Sequence, residues 1–206
     1  MKRRKPILLL FCVSLFTLGQ AQVPKTVNIT AGTLAESFTP AENKTITNLK
    51  VTGTLNTSDF YFIRDSLSVI QILDLSEARI ISPLDTIPDK AFYYKRTLQK
   101  ISFPTNLVRI GYAAFYNCSG LLSVEVPATV TSMGASAFSS CGLKSVILPP
   151  TKISYYGWAF DNCDSLVTAT TPYTNDGGNI FMGSNNLRTI IVPEGVTTLK
   201  DGAFYQ

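Results

Sequence analysis

Three stretches of this chain end on a thiol at one spacing. They are "IGYAAFYNC" (110–118), "MGASAFSSC" (133–141) and "YGWAFDNC" (156–163). In each, an Ala-Phe pair is followed by two variable residues and then Cys118, Cys141 or Cys163. Recurring thiols can form a disulfide framework, serve as thiolates for a metal or a nucleophilic site, or fill a core as small apolar groups. Metal and catalytic roles need companions that are missing. The chain has no histidine, which excludes His-dependent triads and His metal sites. There is no CxxC pair, Gly-x-Ser-x-Gly elbow, Walker loop or dinucleotide fingerprint. "NDGGN" (175–179) has Asp and Asn that could ligate calcium, but a glycine turn is the better reading without a second ligand cluster. Asp161 and Asp164 read as solvated turn residues. The residues therefore predict no catalytic group, no cofactor and no metal ligand.

The ends bound the remaining possibilities. Lys2, Arg3, Arg4 and Lys5 precede an apolar run from Ile7 to Leu18, then Gly19-Gln20-Ala21. This predicts a secretory signal peptide over 1–21, too short to span a bilayer comfortably, in preference to an uncleaved anchor. Four of the 18 basic residues lie in it and none of the 14 acidic ones, so the mature chain is balanced at 14 each. No electrostatic footprint for nucleic acid or an anionic membrane surface remains. No transmembrane segment is expected in the mature chain. Cys12 lies in the removed run, which leaves three cysteines, an odd number.

The spacing of the thiols belongs to a larger repeat. Phe92, Phe115, Phe138, Phe160 and Phe204 step by 23, 23, 22 and 44 residues, and Phe181 falls in the last gap. Three residues after each of the first four and Phe181 come Lys95, Cys118, Cys141, Cys163 and Ser184. A leucine follows (Leu98, Leu121, Leu143, Leu166, Leu187), then an apolar-x-apolar pair such as Val124/Val126 or Val146/Leu148, then a proline. The pair predicts a short strand with one buried face, ended by a proline that cannot donate to a ladder. The glycines at 111, 134 and 157 are expected to let the chain turn before each Ala-Phe segment. A unit this small buries its apolar face only by stacking, which predicts a solenoid. Equivalent positions then stack, so the cysteines read as a buried ladder of free thiols in preference to a disulfide or metal site.

The pattern Leu-x-x-Val-x-Val-Pro, then Val-x-x-Ile/Met-Gly-x-x-Ala-Phe-x-x-Cys, resembles the BspA-type (Treponema-type) leucine-rich repeat of surface proteins in Bacteroides-like bacteria. Six units share register from Ile87 to Phe204. The resemblance implies a leucine-rich-repeat solenoid, with short parallel strands on one face and turns and short helical segments on the other. Upstream, Leu49/Val51 and Leu73/Leu75 read as the first strands, with "TSDFYFIRD" between them as a short helix capped by Thr57 or Ser58, with Phe60 and Ile63 facing inward. Residues 22–45 read as a polar lead-in and cap, and 46–206 as the solenoid. The last unit stops two residues after its Ala-Phe pair, so a truncated C-terminus is expected.

Two surfaces are candidates for function. The outward strand positions Lys50, Asp74, Ser102, Glu125, Ile147, Thr170 and Ile191 should form one row. Tyr93, Tyr94, Tyr112, Tyr116, Tyr155, Tyr156 and Trp158 cluster around the Ala-Phe segments. The resemblance implies a non-enzymatic, secreted or cell-surface (outer-membrane-associated) binding module. That module is adhesin-like, with a host matrix protein, bacterial surface protein or glycan as partner. The alternative is a structural spacer that presents a missing C-terminal domain.

Overall fold

The computed structural model of the protein describes residues 21–171, 180–192 and 194. Residues 1–20 of the expected signal peptide (1–21), the expected turn at 173–179, Pro172, Pro193 and Phe204 lie outside the described residues. In chain order the elements begin with β1 (Pro24–Ile29), β2 (Asn48–Leu55), α1 (Thr57–Ser66), β3 (Ile72–Asp74), β4 (Ala78–Ile80), β5 (Thr86–Ile87) and β6 (Lys100–Ser102). They continue with β7 (Arg109–Ile110), β8 (Ser123–Glu125), β9 (Ser132–Met133), β10 (Ser145–Ile147), β11 (Ser154–Tyr155), β12 (Thr168–Thr170) and β13 (Thr189–Ile191). All the strand pairs are parallel. The architecture is a leucine-rich-repeat solenoid.

Each coil has three sides. The first carries the strands of the apolar-x-apolar pairs, in the order β1-β2-β3-β6 and then β8-β10-β12-β13. The hydrogen-bonded ladder is interrupted between β6 and β8. There Phe103 fills the slot that Leu75 and Val126 fill in neighbouring coils, and its ring stands edge-on to Phe115 at 5.9 Å. The second side is a shorter parallel ladder, β5-β7-β9-β11, which lies just before the Ala-Phe segments. Two-residue strands leave no alternation long enough to show in the sequence.

The third side is made by the Ala-Phe segments themselves. Their backbone alternates in hand, with positive φ at Lys90 and Tyr94, Ala113 and Asn117, and Ser136 and Ser140. This turns alternate N–H groups toward the next coil. Phe92 donates to the Ala114 carbonyl (2.7 Å), Phe115 to Ala137 (2.7 Å), Phe138 to Ala159 (2.8 Å) and Phe160 to Ile180 (2.8 Å). Apart from the gap between β6 and β8, the central coils are thus hydrogen-bonded on all three sides, which satisfies backbone groups that the Phe column buries.

That column is the spine of the core. Phe60, Phe92, Phe115, Phe138 and Phe160 are fully buried. Centroids lie 4.9 Å apart for Phe92–Phe115, 4.7 Å for Phe115–Phe138 and 5.1 Å for Phe138–Phe160, the last two pairs parallel within 3°. Phe60 of α1 heads it edge-on to Phe92 at 5.9 Å. The leucines Leu98, Leu121, Leu143 and Leu166 and the inward strand residues complete the core. In β13, the outermost described strand, Ile190 is half-buried, and Val192 just after it is exposed.

The N-terminal coils follow the same geometry. Leu49 pairs with Leu73 across β2 and β3. The 22–45 segment contributes β1, in which Val27 and Ile29 point inward and pair with Val51 and Gly53. Gly53 has φ +87°, and a Cβ there would lie 2.2 Å from the Ile29 carbonyl oxygen, so only glycine fits. The helix cap is Asn56, not Thr57 or Ser58. The Asn56 side chain accepts from the Ser58 N–H (3.0 Å), and Asp59 accepts from the Asn56 N–H (2.9 Å). Buried Asp59 also accepts from Gly32 (2.7 Å) and Leu34 (3.0 Å), tying the lead-in to the helix.

The glycines before the Ala-Phe segments act differently from expectation. Only Gly157 has positive φ among the three. At Gly134 a Cβ would lie 2.5 Å from the Tyr112 N, and at Gly111 2.6 Å from the Asp89 N. They are there because the neighbouring coil's backbone passes too close for a side chain.

Candidate functional site

The thiol slot is built by the turn after each Phe. Cys118, Cys141 and Cys163 are buried free thiols. Each donates to the carbonyl of the preceding coil's Phe: Cys118 Sγ to Phe92 (3.1 Å), Cys141 to Phe115 (3.0 Å) and Cys163 to Phe138 (3.2 Å). Ser184 does the same to Phe160 at 2.9 Å. In the first coil of the series the Lys95 ammonium reaches back to the Arg64 carbonyl (2.9 Å) and to that of Leu67. The slot needs a donor to a buried carbonyl of the previous coil, and Lys, Cys and Ser all meet that need. The feature the slots share is one donated proton and not a side-chain type.

Burial pushes the Cys141 thiol well above its ordinary range and the Cys163 thiol up to about 12. Such groups are thiols, not thiolates, and are inert as nucleophiles. In the native protein, alkylation of Cys118, Cys141 and Cys163 should be negligible, with all three reacting once the chain is unfolded. Rapid native labelling of any of them would contradict the ladder. Among the described residues no group of three or more His, Cys, Asp or Glu is placed to hold a metal ion.

Lys95 carries a second expectation. Burial pushes its pKa down from 10.5 to about 8. Replacing it by methionine leaves the Arg64 carbonyl at the end of α1 without its Lys95 donor and the Leu67 carbonyl with only the long bond from the Ile70 N–H (3.5 Å), at about 1–3 kcal/mol per unsatisfied buried group. Folding favours the neutral amine, since the unfolded chain holds the proton more tightly. The Lys95 contribution to stability therefore rises as pH climbs from about 8 toward 10.5. Urea titrations should show the gap between wild type and Lys95→Met widening over that window. A constant gap would mean that the amine titrates normally.

The outward strand row falls into two blocks. Lys50, Asp74 and Ser102 are in register across β2, β3 and β6. Glu125, Ile147, Thr170 and Ile191 are in register across β8, β10, β12 and β13. The first block is internally satisfied. Lys50 pairs with Glu77 at 2.6 Å, and Asp74 accepts from the Ser76 hydroxyl (2.7 Å) and N–H (3.0 Å). The second block is open, with Ile147 46% and Ile191 48% exposed.

Each three-residue strand also presents its first residue outward. Ser123, Ser145, Thr168 and Thr189 thus form a second in-register column, of hydroxyls, beside the first. The apolar-x-apolar pattern hides it, because it lies one position before the pair. On the Ala-Phe side, Tyr93 stacks on Tyr116 at 5.2 Å and meets Tyr94 at 4.6 Å. Lys90 and Arg96 lie over Tyr93 and Tyr94 at 5.7 and 5.3 Å. Tyr156 and Trp158 are exposed, and Tyr155 packs on the core.

Comparison with known proteins places this geometry. The BspA type leucine-rich repeat region family matches residues 85–206 in six copies, the number of units counted in the sequence. The coils of β1, β2 and β3 precede the matched range and continue its stacking. A leucine-rich repeat protein of T. pallidum is similar at 22% identity, over 84% of this chain and 71% of that one, with a TM-score of 0.49. One from Bacteroides ovatus ATCC 8483 is similar at 23% identity, over 69% of this chain and 35% of that one, also with a TM-score of 0.49. No curated protein matches the chain.

Proposed function

Because the chain belongs to the BspA-type leucine-rich repeat family, we propose that it is a non-enzymatic, adhesin-like binding module, secreted or held at the cell surface. Residues 1–21 serve as its signal peptide, 22–45 as its cap and 46–206 as the solenoid. Its partner is a host matrix protein, a bacterial surface protein or a glycan. Among the described residues no helix is long and apolar enough to cross a membrane.

One observation carries the reading. Ile147 and Ile191 stand exposed on a hydrogen-bonded strand face whose neighbouring positions are hydroxylated. Large apolar side chains held rigidly on such a face cost solvation in the free protein and gain it back on contact with a partner. Solenoids bind along extended faces of this kind. Of the row Lys50, Asp74, Ser102, Glu125, Ile147, Thr170 and Ile191, the last three supply the contact and the first four a polar flank. The test is affinity capture from solubilised extracellular matrix and from bacterial surface extracts, with the folded protein as bait. Retention of a component that survives washing supports a binding module. Retention of nothing from either source counts against it.

A further inference from the structure

Taking the strand face as the binding surface, we infer that its β10–β13 portion takes an extended, unbranched polysaccharide with one acidic group per disaccharide. Three columns run side by side here. Lys144, Val167 and Arg188 form the outer one, with Val167 donating to the Lys144 carbonyl and Arg188 to the Val167 carbonyl, both at 3.0 Å. Ser145, Thr168 and Thr189 form the next, and Ile147, Thr170 and Ile191 the third. Read across the face, the coils at 144 and 188 present the same series: cation, hydroxyl, exposed isoleucine. The coil between them presents Val167, Thr168 and Thr170. Within β10–β13 the series therefore recurs once, two coils on.

That spacing selects the ligand. Strands about 4.8 Å apart place Lys144 and Arg188 about 9.6 Å apart along the stack. Two successive sugars of an extended polysaccharide span a comparable length. An acidic sugar at Lys144 thus brings the next acidic sugar to Arg188, with a neutral one over Val167 and Thr170 between them. Hydroxyls of the sugar edges meet the Ser/Thr column, and the C–H faces lie on Ile147 and Ile191. An extended polypeptide puts same-side side chains about 6.8 Å apart and drifts out of step within two coils.

The cations are available. Neither Lys144 nor Arg188 is in an ion pair among the described residues. Both line one depression of about 500 Å³ with Val167 and Asn186. Asp164 also lines it, and its carbonyl accepts from Asn186 Nδ2 at 2.6 Å. Its carboxylate is a single opposing charge against two cations. Glu125, one coil before Ile147, ends the favourable stretch.

The experiment uses immobilised hyaluronan, which carries one carboxylate per disaccharide, beside neutral dextran and poly-glutamate. The folded protein should bind hyaluronan, lose affinity as salt screens the cations, and bind dextran and poly-glutamate more weakly. The double variant Lys144→Ala/Arg188→Ala should lose about tenfold or more in affinity, since two charge-assisted contacts go. Both side chains are exposed, so folding should be unaffected, as circular dichroism would verify. Equal binding to dextran or poly-glutamate, no binding to hyaluronan, or an unchanged double variant each overturns the polysaccharide. If hyaluronan fails while capture from the extracts succeeds, the binding-module reading stands with another partner. If both fail, both are wrong.

Discussion

Phe138→Ala should destabilise the protein by about 3–5 kcal/mol, the cost of deleting a buried aromatic ring. Phe138 is fully buried, with Phe115 and Phe160 stacked on its two faces at 4.7 and 5.1 Å. Removing the ring leaves a cavity that neither neighbour can fill, because each is held by its own Phe N–H bond to the next coil. The backbone at 136 and 140 is also fixed in the left-handed region, which limits collapse around the gap. In a solenoid each coil contacts only its neighbours, so the break should uncouple the coils before and after it. A urea titration would show a lower midpoint, and Phe138→Leu, which keeps part of the volume, should fall between. A wild-type midpoint for the alanine variant would put Phe138 in solvent and overturn the register.

Ile147→Glu combined with Ile191→Glu should weaken partner binding by about a hundredfold or more, with the fold retained. Each substitution places a carboxylate where the bound state excludes water, and an unpaired desolvated charge costs far more than the factor of ten that each 1.4 kcal/mol represents. Glu125 already stands in this column one coil earlier, so the solenoid accepts the side chain. Either single change should do less, because the two contacts are two coils apart. The measurement is surface binding to whichever component the capture experiment retains, with circular dichroism as the folding control. Unchanged affinity in the folded double variant would move the contact elsewhere, and the tyrosine cluster around Tyr93, Tyr94 and Tyr116 would be the next surface to test.

The parts of the fold that a repeat makes redundant were the parts legible in the sequence. Five Ala-Phe pairs, with Ile180-Phe181 in the sixth place, and five in-phase leucines fix the Phe column and the main strand ladder, because the copies share one register. Single-copy features were harder. β1 has only Val27 and Ile29 as inward apolar residues among Lys25, Thr26 and Asn28, so it reads as polar lead-in until β2 is beside it. Asn56 lost to the adjacent hydroxyls as helix cap because capping depends on backbone angles, which Asn56 alone has in the extended region. The second ladder, β5-β7-β9-β11, is too short to carry a period. Gly111 and Gly134 are informative in the sequence as glycines, but whether conformation or close approach requires them is visible only in three dimensions. For the candidate face, the row was legible from alternation. Its division into a satisfied charged block and an open block depends on Glu77 and Ser76, which lie outside the strands.

The most direct test of the central claim, that the strand face is where the partner sits, is a position-specific photocrosslink. A photoreactive side chain is placed at position 170, between Ile147 and Ile191, or at position 158 beside the Ala-Phe segment, and each protein is irradiated with the captured component. The account predicts a covalent adduct from position 170 and none from position 158. An adduct from 158 with none from 170 would contradict it.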